Sequence, residues 1–181
     1  VGQLTAQAEK LQFLIESMVK AGRLETGVIA VQPRPADVGA LTEAAVQAAQ
    51  PEAGRRGVQL TSLPAEASAY FDPKWTQEAL GNLIDNAIKY TPAGGSVTVS
   101  VTPYELFCRI DVADTGPGIP EDEQARIFER FYRSPTVRDE QGVGLGLYLA
   151  REIAAANGGY IKVTSRLGKG STFSLFLPRG Q

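Results

Sequence analysis

The chain has 181 residues, with 18 Lys and Arg against 20 Asp and Glu, a formal net charge of −2 and no histidine. The missing histidine excludes Ser-His-Asp and Cys-His nucleophile pairs, imidazole acid–base chemistry and every His-containing zinc site, and the lone Cys108 excludes an internal disulfide or a cysteine metal cluster. The balanced charge argues against a nucleic-acid surface, and no run nears the roughly 20 apolar residues of a membrane-spanning helix. The composition therefore describes a soluble domain of a reducing compartment with enough apolar residues to fill a core.

Leu4, Leu11, Leu14, Ile15, Met18 and Val19 recur at helical spacing, which predicts a helix over residues 4–24 whose apolar stripe must be covered. The cover is either the core of this chain or another helix, in this chain or in a second copy. Gly22, Gly27, Pro33 and Pro35 place a hinge near residues 24–36. Asp37 caps a helix reaching about residue 50, and short strands follow at 58–62 and 69–71. Asp72-Pro73 pairs a cap residue with proline at the first helical position. The helix it opens carries Trp75, Leu80, Leu83, Ile84, Ala87 and Ile88 inward and stops at Thr91-Pro92. Residues 96–102 and 106–112 alternate as two antiparallel strands, with Val97, Val99 and Val101 inward. After an irregular glycine-rich stretch, a helix is expected from about residue 144 to 156, then strands at 160–165 and 171–177 joined by Leu167-Gly168-Lys169-Gly170. The order implies an antiparallel-rich sheet with helices on one face.

Four local patterns carry chemistry. In residues 82–90, Asn82 and Asn86 lie four apart and project from one helix face, with Lys89 and Tyr90 a turn later. Asparagine is an indifferent helix former, and its amide oxygen suits a Mg²⁺ ion held mainly by phosphates. In residues 112–120, an apolar strand ends in Asp114-Thr115-Gly116-Pro117-Gly118, which places a carboxylate at a sheet end where backbone approaches a ligand closely. Such a carboxylate accepts the adenine amino hydrogen and rejects the guanine carbonyl. Asp-Thr-Gly also marks aspartic proteases, but these need two such carboxylates and an all-β fold, whereas this chain has one and is rich in helix. Gly142-Val143-Gly144-Leu145-Gly146 precedes a helix start and supplies free amides for phosphate, though it matches neither the dinucleotide fingerprint nor Walker A. Between these patterns Phe128 and Phe131 precede a polar stretch, residues 134–141, that is expected to be mobile until ordered. Arg130, Arg133 and Arg138 stand ready for phosphate oxygens.

Taken in order, these patterns resemble the catalytic ATP-binding domain of sensor histidine kinases, within the GHKL ATPase superfamily. Residues 82–90 look like the N box, 114–118 the G1 box, 128–131 the F box, 142–146 the G2 box and 169–173 the closing glycine box. The match spans residues 29–178, and residues 4–27 resemble the end of the second helix of the kinase's dimerisation and phosphoacceptor domain. The resemblance divides the chain into 1–27 and 28–181. It implies an α+β fold of Bergerat type, a two-layer sandwich with a mixed sheet, helices on one face and an N-terminal helical arm.

It further implies that Asn86 ligates Mg²⁺ and that Lys89 and Tyr90 meet the phosphates and the adenine edge. Asp114 binds the adenine amino group, with Gly116 and Gly118 shaping the pocket. Ile119, Phe131 and Leu145 belong to the nucleotide-binding set, and Arg133 is the lid arginine on the γ-phosphate. Gly142, Gly144 and Gly146 hinge the lid, and Thr172 lies near the adenine through water. Asn82 stands where related ATP hydrolases carry glutamate, and an amide is a poor base, which favours phosphate transfer over hydrolysis. The implied partners are ATP, the dimerisation and phosphoacceptor domain, a response-regulator receiver domain and a second copy through the 4–24 helix, with no nucleic acid and no membrane contact in this segment. The expected location is cytoplasmic, with the full-length protein anchored in the bacterial inner membrane.

With no histidine in the chain, autophosphorylation within it is impossible. The chain is then a truncation or a degenerate kinase, and its start partway along a helical pattern favours truncation. The alternatives are an ATP-gated interaction module without transfer and a GHKL ATPase. Asn157-Gly158-Gly159 stands where the family carries His-Gly-Gly, and asparagine before glycine ends a helix, so Asn157 reads as structural.

Overall fold

The computed structural model describes residues 1–133 and 145–180. In chain order these form α1 (Gly2–Glu25), β1 (Arg34–Asp37), α2 (Val38–Arg56), β2 (Gln59–Ser62), β3 (Ser68–Phe71), α3 (Pro73–Tyr90), β4 (Ser96–Pro103), β5 (Phe107–Asp114), α4 (Glu121–Gln124), α5 (Gly146–Ala156), β6 (Tyr160–Arg166) and β7 (Gly170–Pro178). Five strands make one mixed sheet in the order β2-β4-β5-β7-β6. The β2–β4 pair is parallel and the others are antiparallel. β1 and β3 form a separate antiparallel pair, one strand of which, β1, has no alternation to announce it.

Helix α3 is the centre of the helical layer, packed between α2 and α5. It starts at residue 73 because the Asp72 carboxylate accepts from the amides of Lys74 and Trp75, at 3.0 and 3.2 Å, with proline at the first position. Its inward residues Leu80, Leu83, Ile84, Ala87 and Ile88 are fully buried in one core with Cys108, Ile110 and Val112 of β5 and Leu175 and Leu177 of β7. Each buried Leu or Ile contributes about 1.5–3 kcal/mol. Of the three inward valines expected on β4, Val97 and Val99 are fully buried, and Val101 is partly so. This is the two-layer α+β sandwich with helices on one face that the sequence implied.

Two helices differ from expectation. Helix α2 continues through Pro51 to Arg56 and closes on Gly57 at φ 68°. Pro51 forfeits one hydrogen bond, but Ala49 and Ala53 on either side are buried, and their packing keeps the helix running. In α1, the core of this chain covers only Leu14 of the apolar stripe, and Leu4, Leu11, Ile15, Met18 and Val19 are 42–74% exposed, which leaves cover by another helix as the open alternative. The face that packs is Ser17 and Ala21, with Leu14 and Leu24 partly buried. Small side chains one turn apart bring the arm close to α5, a contact that the apolar stripe could not reveal. No described helix is long and apolar enough to cross a membrane.

The end of α5 confirms a structural part for Asn157. It stays right-handed at φ −77° while Gly158 takes the left-handed turn at φ 84°. Its buried amide accepts from the Asp72 backbone N–H at 2.9 Å and donates to Thr76 Oγ1 at 2.8 Å, tying the end of α5 to the start of α3.

Candidate functional site

The site forms where β5 ends and β7 begins, near the end of α3. Alternation along β5 turns Cys108, Ile110, Val112 and Asp114 to the helical face, so the carboxylate emerges at the edge of the core. Asp114 Oδ1 accepts from the Gly116 amide at 2.9 Å and the Ser171 amide at 3.2 Å. Neither described bond falls on Oδ2. Burial pushes the carboxyl above the ordinary carboxylate value, and the two amides pull it part of the way back. A carboxylate held by one oxygen in a half-buried setting is a directional acceptor for a ligand donor.

The glycines around Asp114 are required by close approach. A Cβ on Gly118, at φ 79°, would stand 2.2 Å from the Arg166 carbonyl oxygen, and one on Gly170, at φ 94°, would stand 2.0 Å from that of Asp114. Only a hydrogen side chain allows the two turns to interlock in this way. The loop is further pinned by Ser165, whose Oγ accepts from the Ile119 amide at 2.7 Å and lies 2.8 Å from Ser171 Oγ. Gln124 Nε2 donates to the Ile119 carbonyl at 3.0 Å.

On α3, Asn82 and Asn86 are partly buried, and Lys89 Nζ sits 5.3 Å from the centroid of the Tyr90 ring. The Tyr90 carbonyl oxygen comes within 3.0 Å of where a Gly116 Cβ would be, so the end of α3 abuts the Asp114 loop. Asn82 Nδ2 donates to the Gly146 carbonyl at 3.2 Å, joining α3 to the first residue of α5. The structure thus joins Asn82 of α3 to Gly146 of α5 and sets the end of α3, at Tyr90, against the loop of Asp114 and Gly116.

Other expected residues fall differently. Leu145 is 1% exposed, so its side chain belongs to the core and only its backbone is left for a ligand. Phe128 is buried edge-on to Phe173 at 6.1 Å, whereas Phe131 is 47% exposed and holds φ 63°. Arg133 is exposed, and Arg130 is paired with Glu25. Thr172 requires a correction. It alternates with the buried Ser171 and Phe173 and therefore lies on the sheet face opposite Asp114. The residue on the Asp114 face is Ser171, its register partner. Counting back from the turn at Leu167-Gly168-Lys169-Gly170 pairs Ser165 with Ser171, a signal that sequence reading left unused. Gly142, Gly144, Arg138 and the expected mobile stretch at 134–141 lie outside the described residues.

A half-buried carboxylate between interlocked glycine turns stands at the end of β5, beside the end of a helix carrying two asparagines and a lysine, in a domain of the two-layer α+β class. The chain belongs to the family described as "Histidine kinase-, DNA gyrase B-, and HSP90-like ATPase", whose model matches residues 71–181. It is an ATP-binding catalytic domain of the histidine-kinase kind. It is 35% identical to an adaptive-response sensory kinase SasA of a Synechococcus species over 95% of this chain and 46% of the relative. It is 32% identical to sensor protein kinase PmrB of Pseudomonas aeruginosa, over 99% of this chain and 38% of that protein. Among solved structures, full-length ShkA in complex with AMPPNP superposes with a TM-score of 0.83 at 30% identity, over 98% of this chain and 37% of that one. The chain therefore spans less than half the length of these relatives.

Proposed function

We propose that this domain binds Mg·ATP and transfers the γ-phosphate to a histidine outside the 181 residues, from which it passes to a response-regulator receiver domain. The observation that carries transfer over hydrolysis is Asn82, an amide donating to the Gly146 carbonyl where a hydrolase needs a basic carboxylate. In this reading Asp114 Oδ2 accepts the adenine amino hydrogen, Gly116, Gly118 and Ile119 line the base, and Ser171 takes the place expected of Thr172. Lys89, Tyr90 and Arg133 meet the phosphates, with Phe131 beside them, and Gly142, Gly144 and Gly146 supply amides to them. Positioning and fixed charge supply most of the rate in such a site.

The residues suit Mg²⁺. Asn86 offers one neutral oxygen, and among the described residues no three His, Cys, Asp or Glu side chains group to hold a metal. That donor set fits an ion carried on phosphates with a single amide ligand. When bound, the ion neutralises phosphate charge. The division at residue 27 is supported by Gly27, which ends the arm at φ 74°. Pairing with a second helix, in the dimerisation domain or another copy, is supported by the exposed Leu4, Leu11, Ile15, Met18 and Val19.

The test begins with calorimetric titration of ATP and GTP, with and without Mg²⁺, on the wild type, Asp114→Asn and Asn86→Ala. The expected result is ATP binding without GTP binding, lost in Asp114→Asn and indifferent to metal in Asn86→Ala. A histidine-bearing helix supplied in trans with γ-labelled ATP should then become labelled. Binding without labelling would instead mark a gated interaction module, and steady phosphate release without acceptor an ATPase. A folded wild type that binds no nucleotide overturns the reading.

A further inference from the structure

The helical arm touches both elements that hold Asn82. On α3, Lys20 Nζ donates to Glu78 Oε1 at 2.8 Å, and Glu78 lies one turn before Asn82 on the same face. On α5, the Tyr148 hydroxyl donates to Glu25 Oε1, and Tyr148 lies two residues beyond Gly146. Arg130 donates to the same Glu25 oxygen and, at 3.0 Å, to the Tyr148 hydroxyl, with its guanidinium 4.9 Å from the ring centroid. The Asn82–Gly146 hydrogen bond thus lies between two points of attachment of the arm. Arg130 also precedes Phe131, a bulky residue at φ 63°, and such a backbone persists only where its surroundings hold it.

We propose that Glu25, Arg130 and Tyr148 are positioning residues for the nucleotide pocket. Docking of the arm's last turn sets the first turn of α5 and, through the Gly146 carbonyl, the amide of Asn82. Arm docking and nucleotide binding are then coupled, each strengthening the other by the same factor. The bound geometry is preorganised while Glu25 accepts from its two donors, and releasing them adds an ordering cost to binding. This inference rests on the reading of the cleft as an ATP site and deepens it by adding a control point outside the cleft.

The experiment uses the full chain as wild type, Tyr148→Phe, Glu25→Gln, Glu25→Arg, Arg130→Glu and the double exchange Glu25→Arg with Arg130→Glu. Each is titrated with Mg·AMPPNP, melted thermally and followed by amide hydrogen exchange without nucleotide. The exchange reporter is the Leu149 amide, which donates to the Leu145 carbonyl at 2.9 Å. The single variants should bind AMPPNP roughly 3- to 10-fold more weakly and exchange faster at Leu149. The double exchange should recover much of both losses. Single variants that melt earlier yet bind AMPPNP as the wild type does would show a purely structural contact and overturn the proposal. A double exchange that restores nothing would also overturn it. A wild type that binds no AMPPNP fails the ATP reading itself and this proposal with it, whereas failure of the coupling alone appears as wild-type binding matched by every variant.

Discussion

The wall around Asp114 and the helical arm are held by opposite means. The wall is held by backbone amides that donate to Asp114 Oδ1 and Ser165 Oγ. Asp114, Gly116, Ser171 and Ile119 are joined across β5, β6 and β7 by amide donors and by glycine turns that interlock to within 2.0–2.2 Å of a would-be Cβ. The arm is made of side chains, with Ser17 and Ala21 against the domain and a few polar contacts at Lys20 and Glu25. A change in the wall must therefore be felt by the sheet, while a change in the arm reaches the domain only through these few side-chain contacts. In the proposed reading, specificity for a base lies on the wall and adjustable coupling on the arm.

The largest effect should come from breaking the interlock. Gly170→Ala is expected to lower stability by about 2–4 kcal/mol, since it combines a strained φ with a backbone clash, and denaturant melts will read it. A loss under about 0.5 kcal/mol would mean that the wall yields more easily than its geometry implies.

Next comes Asp114→Asn, which separates function from fold within the wall. ATP affinity should fall roughly 10- to 100-fold because a donor replaces a charged acceptor. Stability should move the other way. The folded pKa is raised, so the carboxyl's favourable contribution is complete below its unfolded value and is lost as pH rises through the folded value. Asn does not titrate. Its melting temperature should therefore exceed that of the wild type at neutral pH, with the difference shrinking as pH falls through the raised folded value and changing no further below the ordinary carboxylate value of 3.8. A variant less stable at pH 7 than at pH 4, relative to wild type, would contradict this sign.

Asn157→Ala should cost about 1–3 kcal/mol by leaving the Asp72 amide and the Thr76 hydroxyl without their buried partner. Nucleotide affinity of the folded variant should change little, because this junction lies at the far ends of α3 and α5. Ser171→Ala and Thr172→Ala sharpen the assignment of faces. The first should weaken ATP binding roughly 2- to 10-fold, and the second should leave it unchanged. Equal losses at both positions would remove the distinction. The smallest effect belongs to the arm's outer face, where Ile15→Glu should alter the melting temperature of the isolated chain by no more than about 0.5 kcal/mol equivalent. The same change should abolish any self-association seen by analytical ultracentrifugation.

Much of this molecule was legible from local rules. Asp72-Pro73 began α3 as expected, and the alternation of residues 96–102 and 106–112 produced β4 and β5 with small shifts at their ends. Asn82 and Asn86 share one partly buried face of α3 and Asp114 stands at the end of β5, as expected, because a helical repeat and a sheet end are properties of the chain itself. Ser171 and Thr172 were interchanged because strand alternation says that neighbours face opposite ways but not which of them faces the helices until the sheet is assembled.

The sequence by itself determined where most helices and strands begin, β1 and α4 excepted, which residues fill the core of α3, and that a carboxylate flanked by glycines stands at a strand end. These follow from periods of 3.6 and 2, from capping and from the steric freedom of glycine. Only the tertiary structure decided that α1 packs through Ser17 and Ala21 rather than its apolar stripe, that Asn157 fastens α5 to α3, and that Arg130 and Tyr148 meet Glu25. These contacts join residues up to 123 positions apart. Whether such groups meet depends on how packed elements lie against each other, which no local pattern encodes.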